Sequence, residues 1–322
     1  MISKLYAIKD KIPSCKAPIW AQSGHAQTIL GHLLKSPKIP KGEAFTVELE
    51  DGEMIRGSYH RGTRDVLVYL FHGLGGNSEA AYMQRTSLIS LELGYHVVLM
   101  NHRGCGDGGR LAKNPYHSGR YKDLSATVEK GRSLFPTFKH LMVGFSLSGN
   151  ALLCLAGVPD DIAKPDFAIS VNAPVHLDKA SLLLNKGLNR IYSLRFLRDL
   201  RSHININDPE NIHLIKNVKD LRTFDQHYTA PRGGFTSNLD YYEKSSAKQY
   251  LNSINIPTVM ISAKDDPFVD YLDYEEAEKS DSAILHLEDI GGHMGYLSLG
   301  QGNYYRWLDL ALSKYLEVFS VN

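Results

Sequence analysis

The stretch "LMVGFSLSGN" (residues 141–150) ends an apolar run on two closely spaced hydroxyls, Ser146 and Ser148. The spacing is close to G-x-S-x-G, with Ser148 where the last glycine would stand. In a strand-to-helix reversal of this kind a serine sits at the tip, and the residues two before and two after it nearly touch, so both must be small. Ser146 has Gly144 and Ser148 as flanks, whereas Ser148 would have Ser146 and Asn150, and asparagine fits poorly. Ser146 is therefore the candidate nucleophile and Ser148 a spacer beside it. The extra Cβ and hydroxyl of Ser148 at the crowded point are expected to open the turn slightly.

A serine hydroxyl is a weak nucleophile and needs a base within hydrogen-bond reach, itself oriented by a carboxylate. Of fourteen histidines, His293 in "DIGGHMGY" (289–296) lies on a glycine-rich loop after the last expected strand, ahead of the final helix. The carboxylate is expected from "ISAKDDPFVD" (261–270), which holds Asp265 and Asp266 side by side. Asp266, directly before Pro267, is aligned by a G-x-x-D-x-hydrophobic layout in which Ala263 stands at the glycine position, and is the choice, with Asp265 as the alternative. The chain order is then Ser146, Asp266, His293. Two backbone amides should hold the developing oxyanion. Leu147, next after the nucleophile, supplies one, and Leu74 in the glycine-rich "FHGLGGNS" (71–78) supplies the other. His72 in that loop reads as a structural hydrogen-bonding residue.

The elements that would position these residues follow from the apolar pattern. "AFTVELEDGEMIRGSYHRG" (44–62) reads as a hairpin turning at Glu50, Asp51 and Gly52. Strands are expected over 65–73, 96–104, 140–146, 167–175, 257–263 and 283–289, with helices near 78–93 and 123–134 and from the serine turn through Leu155. Near-continuous apolar strands alternating with helices indicate an α/β fold, a mostly parallel central sheet flanked by helices. The chain reads as one domain over 1–322 with a helical lid insertion over 176–255. The first forty residues, with prolines at 13, 18, 37 and 40, read as irregular. Residues 178–201 carry six Lys/Arg against Asp178 and Asp199. The segment reads as a lid helix with a solvated basic face, with a basic amphipathic helix lying on a membrane surface as the alternative.

Composition narrows the function. A net charge of +1 gives no basic surface for nucleic acid. Three scattered cysteines (Cys15, Cys105, Cys154) and no Cys/His cluster point to reduced thiols, no metal and a cytoplasmic protein. The uncharged stretch 141–158 is broken by glycines and Asn150 and reads as strand, turn and helix, so no integral membrane span is expected. "GCGDGG" (104–109) fits G-x-G-x-x-G, but no helix opens after it and Pro115 follows, so it reads as a tight loop near the pocket and no nucleotide cofactor is expected.

Taken together, the motifs resemble the YheT-like branch of the α/β-hydrolase superfamily. The similarity rests on "WAQSGHAQTIL" (20–30), "FHGLGG", "NHRGCGDG", "YHSG" (116–119), "GFSLSGN", "LDYYEKSSA" (239–247), "AKDDPF" and "GGHMGY", in the family's order along residues 20–296. The departure is Ser148, where the family typically has glycine. The resemblance implies the α/β-hydrolase fold, a Ser146–Asp266–His293 triad, no cofactor, and hydrolysis of a small or lipid-like carboxylic ester. Acyl transfer to an alcohol and a non-catalytic scaffold are the alternatives. For His25, Gln27 and Thr28, packing against the core is the expected role.

Overall fold

The computed structural model describes residues 1–159, 161–301 and 304–320. Eight strands, β1 (Glu43–Glu48), β2 (Met54–His60), β3 (Val66–Phe71), β4 (His96–Met100), β5 (Lys139–Phe145), β6 (Phe167–Val171), β7 (Thr258–Ala263) and β8 (Ala283–Glu288), form one sheet. Their order is β1-β2-β4-β3-β5-β6-β7-β8. The β1–β2 and β2–β4 pairs are antiparallel, and from β4 to β8 every neighbour is parallel. The turn between β1 and β2 falls at Glu50, Asp51 and Gly52, as the hairpin pattern requires.

Helices α1 (Ile2–Lys9), α2 (Gly24–Leu33), α3 (Ala81–Glu92), α4 (Tyr121–Leu134) and α5 (Leu147–Gly157) precede the long excursion after β6. That excursion holds α6 (Leu177–Leu184), α7 (Arg190–Asn207), the short α8 (Leu221–Phe224) and α9 (Ala230–Gly233), and α10 (Asn238–Ser245). The short α11 (Leu272–Glu275), a hairpin of β9 (Leu297–Gln301) and β10 (Tyr304–Arg306), and α12 (Trp307–Leu316) complete the order.

Two-residue alternation along each strand divides the core into two layers. Val66, Val68 and Leu70 of β3 pack with Met83 of α3 and Trp307 of α12. Leu67, Tyr69 and Phe71 point the other way, to Leu124 and Val128 of α4 and Leu152 of α5. A third apolar cluster lies over the strand ends and joins Leu197, Leu200 and Ile204 of α7 to Phe268 and Ala173. Every residue of β3, β4, β6 and β7 is buried, which explains why these strands read as unbroken apolar runs.

Two expectations need correction. The first forty residues are not irregular: α1 and α2 lie there, and the prolines at 13, 18 and 37 flank the helices without interrupting them. Ser23 caps α2 by accepting from the Ala26 amide. The chain also does not pass straight from the His293 loop to the final helix, because β9 and β10 intervene. "GCGDGG" forms a single 3-10 turn at Gly106–Gly108 and opens no helix.

The loop after β4 is held by charge. Buried Arg103 donates from Nε and Nη2 to Asp123 at 2.7 and 2.8 Å, and from Nη1 to Asp51 and Glu53 at 2.6 Å each. One guanidinium thus ties the β1–β2 turn and α4 to the loop beside the serine turn. Removing one member of a buried ion network leaves uncompensated charge, which costs about 3–5 kcal/mol. Arg103→Met is expected to lose stability on that scale in urea unfolding; a loss below about 1 kcal/mol would show that the network holds nothing in place.

Candidate active site

β5 ends at Phe145 and α5 begins at Leu147, so Ser146 alone makes the reversal, with φ 53° and ψ −117°. A non-glycine residue held at such angles carries strain of about 1–3 kcal/mol. Its amide donates to the Val171 carbonyl at 2.7 Å, which fixes the turn against β6. The crowding that the sequence implied is present: a Cβ on Gly144 would stand 2.5 Å from the Ser148 carbonyl oxygen. A Cβ on Gly73 would stand 3.0 Å from that of Ser146, so the 71–78 loop lies directly against the serine.

His293 faces Ser146 across the end of the sheet, with Nε2 2.9 Å from Ser146 Oγ. On its other side, Nδ1 lies 2.8 Å from Asp266 Oδ2. The adjacent carboxylates divide the work. Asp266 Oδ2 also accepts from Asn172 Nδ2 at 2.8 Å, and Oδ1 accepts the Phe268 and Val269 amides at 3.1 Å each. Asp265 points away from the imidazole and accepts the Gly291 and Gly292 amides at 2.8 and 2.7 Å, holding the loop that carries His293. Burial pushes the Asp265 carboxyl above its usual range, while those two amides pull it back. The Phe268 ring covers the imidazole at 4.1 Å between centroids.

Leu74 and Leu147, whose backbone amides are expected at the oxyanion position, line one cavity with Ser146. Gly73 donates to the Tyr82 hydroxyl at 3.0 Å and Gly75 to the Tyr116 hydroxyl at 2.8 Å. The Leu74 amide between them has no protein acceptor among the described residues. Neither has that of Leu147, the first residue of α5, where helix geometry leaves amides unpaired. His72 is fully buried, accepting the His102 amide on Nε2 at 3.2 Å with Nδ1 2.8 Å from the Gly73 carbonyl.

Ser148 does more than fill space. Its hydroxyl donates to the His72 carbonyl and lies 2.5 Å from His102 Nε2, wholly buried and away from His293. The extra hydroxyl therefore bonds the first turn of α5 to the loop that carries Leu74. Burial holds both imidazoles below their ordinary range, His102 at about 4, so the pair stays uncharged at neutral pH. Two residues further, Asn150 donates to Ser118 Oγ and the Ser245 carbonyl at 2.8 and 2.7 Å and accepts the Ala247 amide at 2.8 Å. Three separated motifs, "GFSLSGN", "YHSG" and "LDYYEKSSA", meet at this one amide.

Sequence reasoning missed the role of α2. Thr28 Oγ1 accepts the His293 amide at 2.8 Å, so the helix grips the loop at His293 itself. Gln27, fully buried, accepts the Leu297 amide at 2.6 Å and donates to the Ala21 carbonyl at 2.9 Å. Gly24 is a glycine because a Cβ there would overlap the Asp265 carbonyl oxygen at 1.7 Å. His25 Nδ1 meets the Tyr192 hydroxyl at 2.9 Å, linking α2 to α7. The available signal was the polar pair Gln27-Thr28 within a helix-length window between prolines.

Two cavities meet at the serine, and Leu74, Ser146, Phe196 and Phe268 line both. The inner one, about 130 Å³, runs beneath the 177–253 excursion between Leu177, Leu184, Leu200, Ile204, Phe224 and Tyr228. Asp225 also lines it, its carboxyl pushed up to about 6 by burial against the opposing pull of Thr229, Tyr242 and Arg222. The outer one, about 340 Å³, is bounded by Thr28, Ile29, Leu33, Tyr192 and His293. Among the described residues no group of three or more His, Cys, Asp or Glu side chains could hold a metal ion.

Sheet order, strand-end loops and serine turn define an α/β hydrolase, and the chain belongs to the α/β-hydrolase fold family, whose profile matches residues 66–298. Within it the chain is similar to YheT of Escherichia coli (strain K12), 28% identical over 92% of this chain and 90% of that one. It is also similar to the phospholipase ABHD3 of Homo sapiens, 26% identical over 87% of this chain and 72% of that one. With the monoacylglycerol lipase of Saccharomyces cerevisiae it shares 27% identity over 79% of this chain and 59% of that longer protein. In fold it matches the Pyrococcus furiosus esterase Pf2001 with a TM-score of 0.58 at 16% identity, over 88% of this chain and 99% of that one.

The grip of Thr28 on His293 is testable by itself. A buried amide left without its acceptor costs about 1–3 kcal/mol. Thr28→Val is expected to speed amide exchange across residues 291–296 by about tenfold or more, and Thr28→Ser to leave it near wild type. Equal exchange in all three proteins would show that α2 does not hold the loop.

Proposed function

We propose that the protein is a serine hydrolase that cleaves carboxylic esters. The observation that carries this reading is the continuous hydrogen-bonded line from Ser146 through His293 to Asp266, beside two amides without acceptors among the described residues. His293 Nε2 takes the proton of Ser146 Oγ as that oxygen bonds to the ester carbonyl carbon. The Leu74 and Leu147 amides hold the resulting oxyanion. Collapse breaks the bond to the alcohol oxygen, which receives the proton from His293 and leaves an acyl group on Ser146. Water, deprotonated by the same imidazole, attacks the acyl carbon; the bond to Ser146 Oγ breaks, that oxygen takes the proton back from His293, and the carboxylic acid leaves. Asp266 keeps Nδ1 protonated and stabilises the imidazolium formed in each half.

The junction of the cavities gives each part of the substrate a place. Both chambers are mostly apolar; the smaller, beneath the helical excursion, is assigned to the acyl chain and the one beside α2 to the alcohol. On this reading the helical excursion over residues 176–255 is a lid on a single 1–322 domain. Esterase, lipase and phospholipase names among the relatives support an ester substrate of small or lipid-like kind. Three free cysteines, two of them buried, accord with a reducing compartment, the cytoplasm. Among the described residues no helix is long and apolar enough to cross a membrane.

Turnover of p-nitrophenyl butyrate tests the assignment. Ser146→Ala is expected to lower kcat/KM by a factor on the order of 10⁴, and Asp266→Asn by a similar factor, through loss of the correct tautomer. Asp265→Asn, which touches only the loop, is expected to cost less than about a tenth of that. Activity that survives Ser146→Ala and vanishes in Ser148→Ala would overturn the assignment.

A further inference from the structure

Helix α7 is amphipathic about its own axis. Ser193, Leu197, Leu200 and Ile204 are buried against the body. The opposite side and the turn before it present Leu188, Ile191 and Leu194 to solvent, exposed by 64%, 61% and 60%. Helix α2 lies beside it and presents Ile29 and Leu33, exposed by 43% and 69%. Isolated exposed aliphatics are ordinary on a protein surface. These five are not isolated. The Tyr192 hydroxyl meets His25 Nδ1 at 2.9 Å and Arg195 Nη2 meets His32 Nε2 at 2.7 Å, so α2 and α7 form one face. Ile29, Leu33 and Ile191 of that face also line the outer cavity, which reaches Ser146 and His293.

Charge selects among occupants. Lys186, Arg190, Arg195 and Arg198 are all exposed around the aliphatic patch. Between residues 186 and 206 the one carboxylate is Asp199, and α2 has none. Aliphatic side chains ringed by long cations match acyl chains beneath anionic headgroups, where Lys and Arg reach outward while their stems lie on apolar surface.

We propose that the α2–α7 face docks the protein on an anionic lipid surface, with the outer cavity opening against it. The docking needs no catalysis, and it rests on the ester-hydrolase reading only for the use made of it: a lipid-like ester would pass from the surface into the outer cavity without crossing water.

The test uses the full-length Ser146→Ala protein, so that no lipid is consumed. Cosedimentation with vesicles of phosphatidylcholine alone is compared with vesicles of phosphatidylcholine mixed with phosphatidylglycerol. The proposal expects binding to the mixed vesicles, weakened by salt. It expects a fall of about tenfold or more when Leu188→Ser and Leu194→Ser are added. Both leucines lie outside the two cavities, so the same pair in the Ser146 background is expected to leave p-nitrophenyl butyrate turnover near wild type. Arg190→Gln with Arg198→Gln is expected to remove the preference for the anionic vesicles. No binding to the mixed vesicles, or equal binding to both kinds, would overturn the proposal. So would a concentration-dependent dimer in sedimentation velocity that the leucine substitutions dissociate, since the face would then belong to a second copy. Soluble-ester turnover by the Ser146 protein is read separately, so failure of the docking and failure of the hydrolase reading cannot be confused.

Discussion

The reversal at Ser146 is the constraint from which the site is built. At φ 53° the chain leaves β5 and enters α5 within one residue, so the side chain stands clear of both elements. The cost is met by neighbours that have no Cβ to spare: Gly144 against the Ser148 carbonyl and Gly73 against Ser146 itself. Because Gly73 must approach so closely, the loop after β3 is drawn over the serine, and the Leu74 amide comes with it. The His72–His102–Ser148 group then fixes this loop to α5 from behind. A strained turn alone would relax; here packed strands, a loop and a buried polar group all hold it.

His293 is held from the other side by parts of the chain far apart in sequence. Asp266 engages the imidazole, Asp265 engages the loop backbone, and Thr28 holds the His293 amide. The same helix that supplies Thr28 touches α7 through His25 and Tyr192. The helical excursion is thus linked through α2 to the loop that carries His293. Residues of the excursion, α2 and the His293 loop together line the outer cavity.

Much of this was legible in the residues. Apolar runs such as 66–71 and 140–145 announced buried parallel strands because both of their faces are covered. The flank test at Gly144 and Ser148 identified which serine could sit at the tip, since it depends on sterics within five residues. What escaped were contacts made across the chain. Nothing local to Thr28 indicates that it meets a residue 265 positions away. Proline spacing alone did not show that α1 fits ahead of the first proline and α2 between Pro18 and Pro37. Ser148 looked like a spacer because sequence reports its size, and only the fold places His72 and His102 around its hydroxyl. The neighbouring aspartates could be divided only once the loop geometry showed which carboxylate faced the imidazole.

The account stands on Ser146 being the activated hydroxyl. Treating the intact, folded protein with a fluorophosphonate probe and mapping the adduct by peptide mass spectrometry tests this most directly. One phosphonyl group per chain on Ser146 is the predicted result. A folded protein that takes no adduct, or takes it on Ser148, would contradict it.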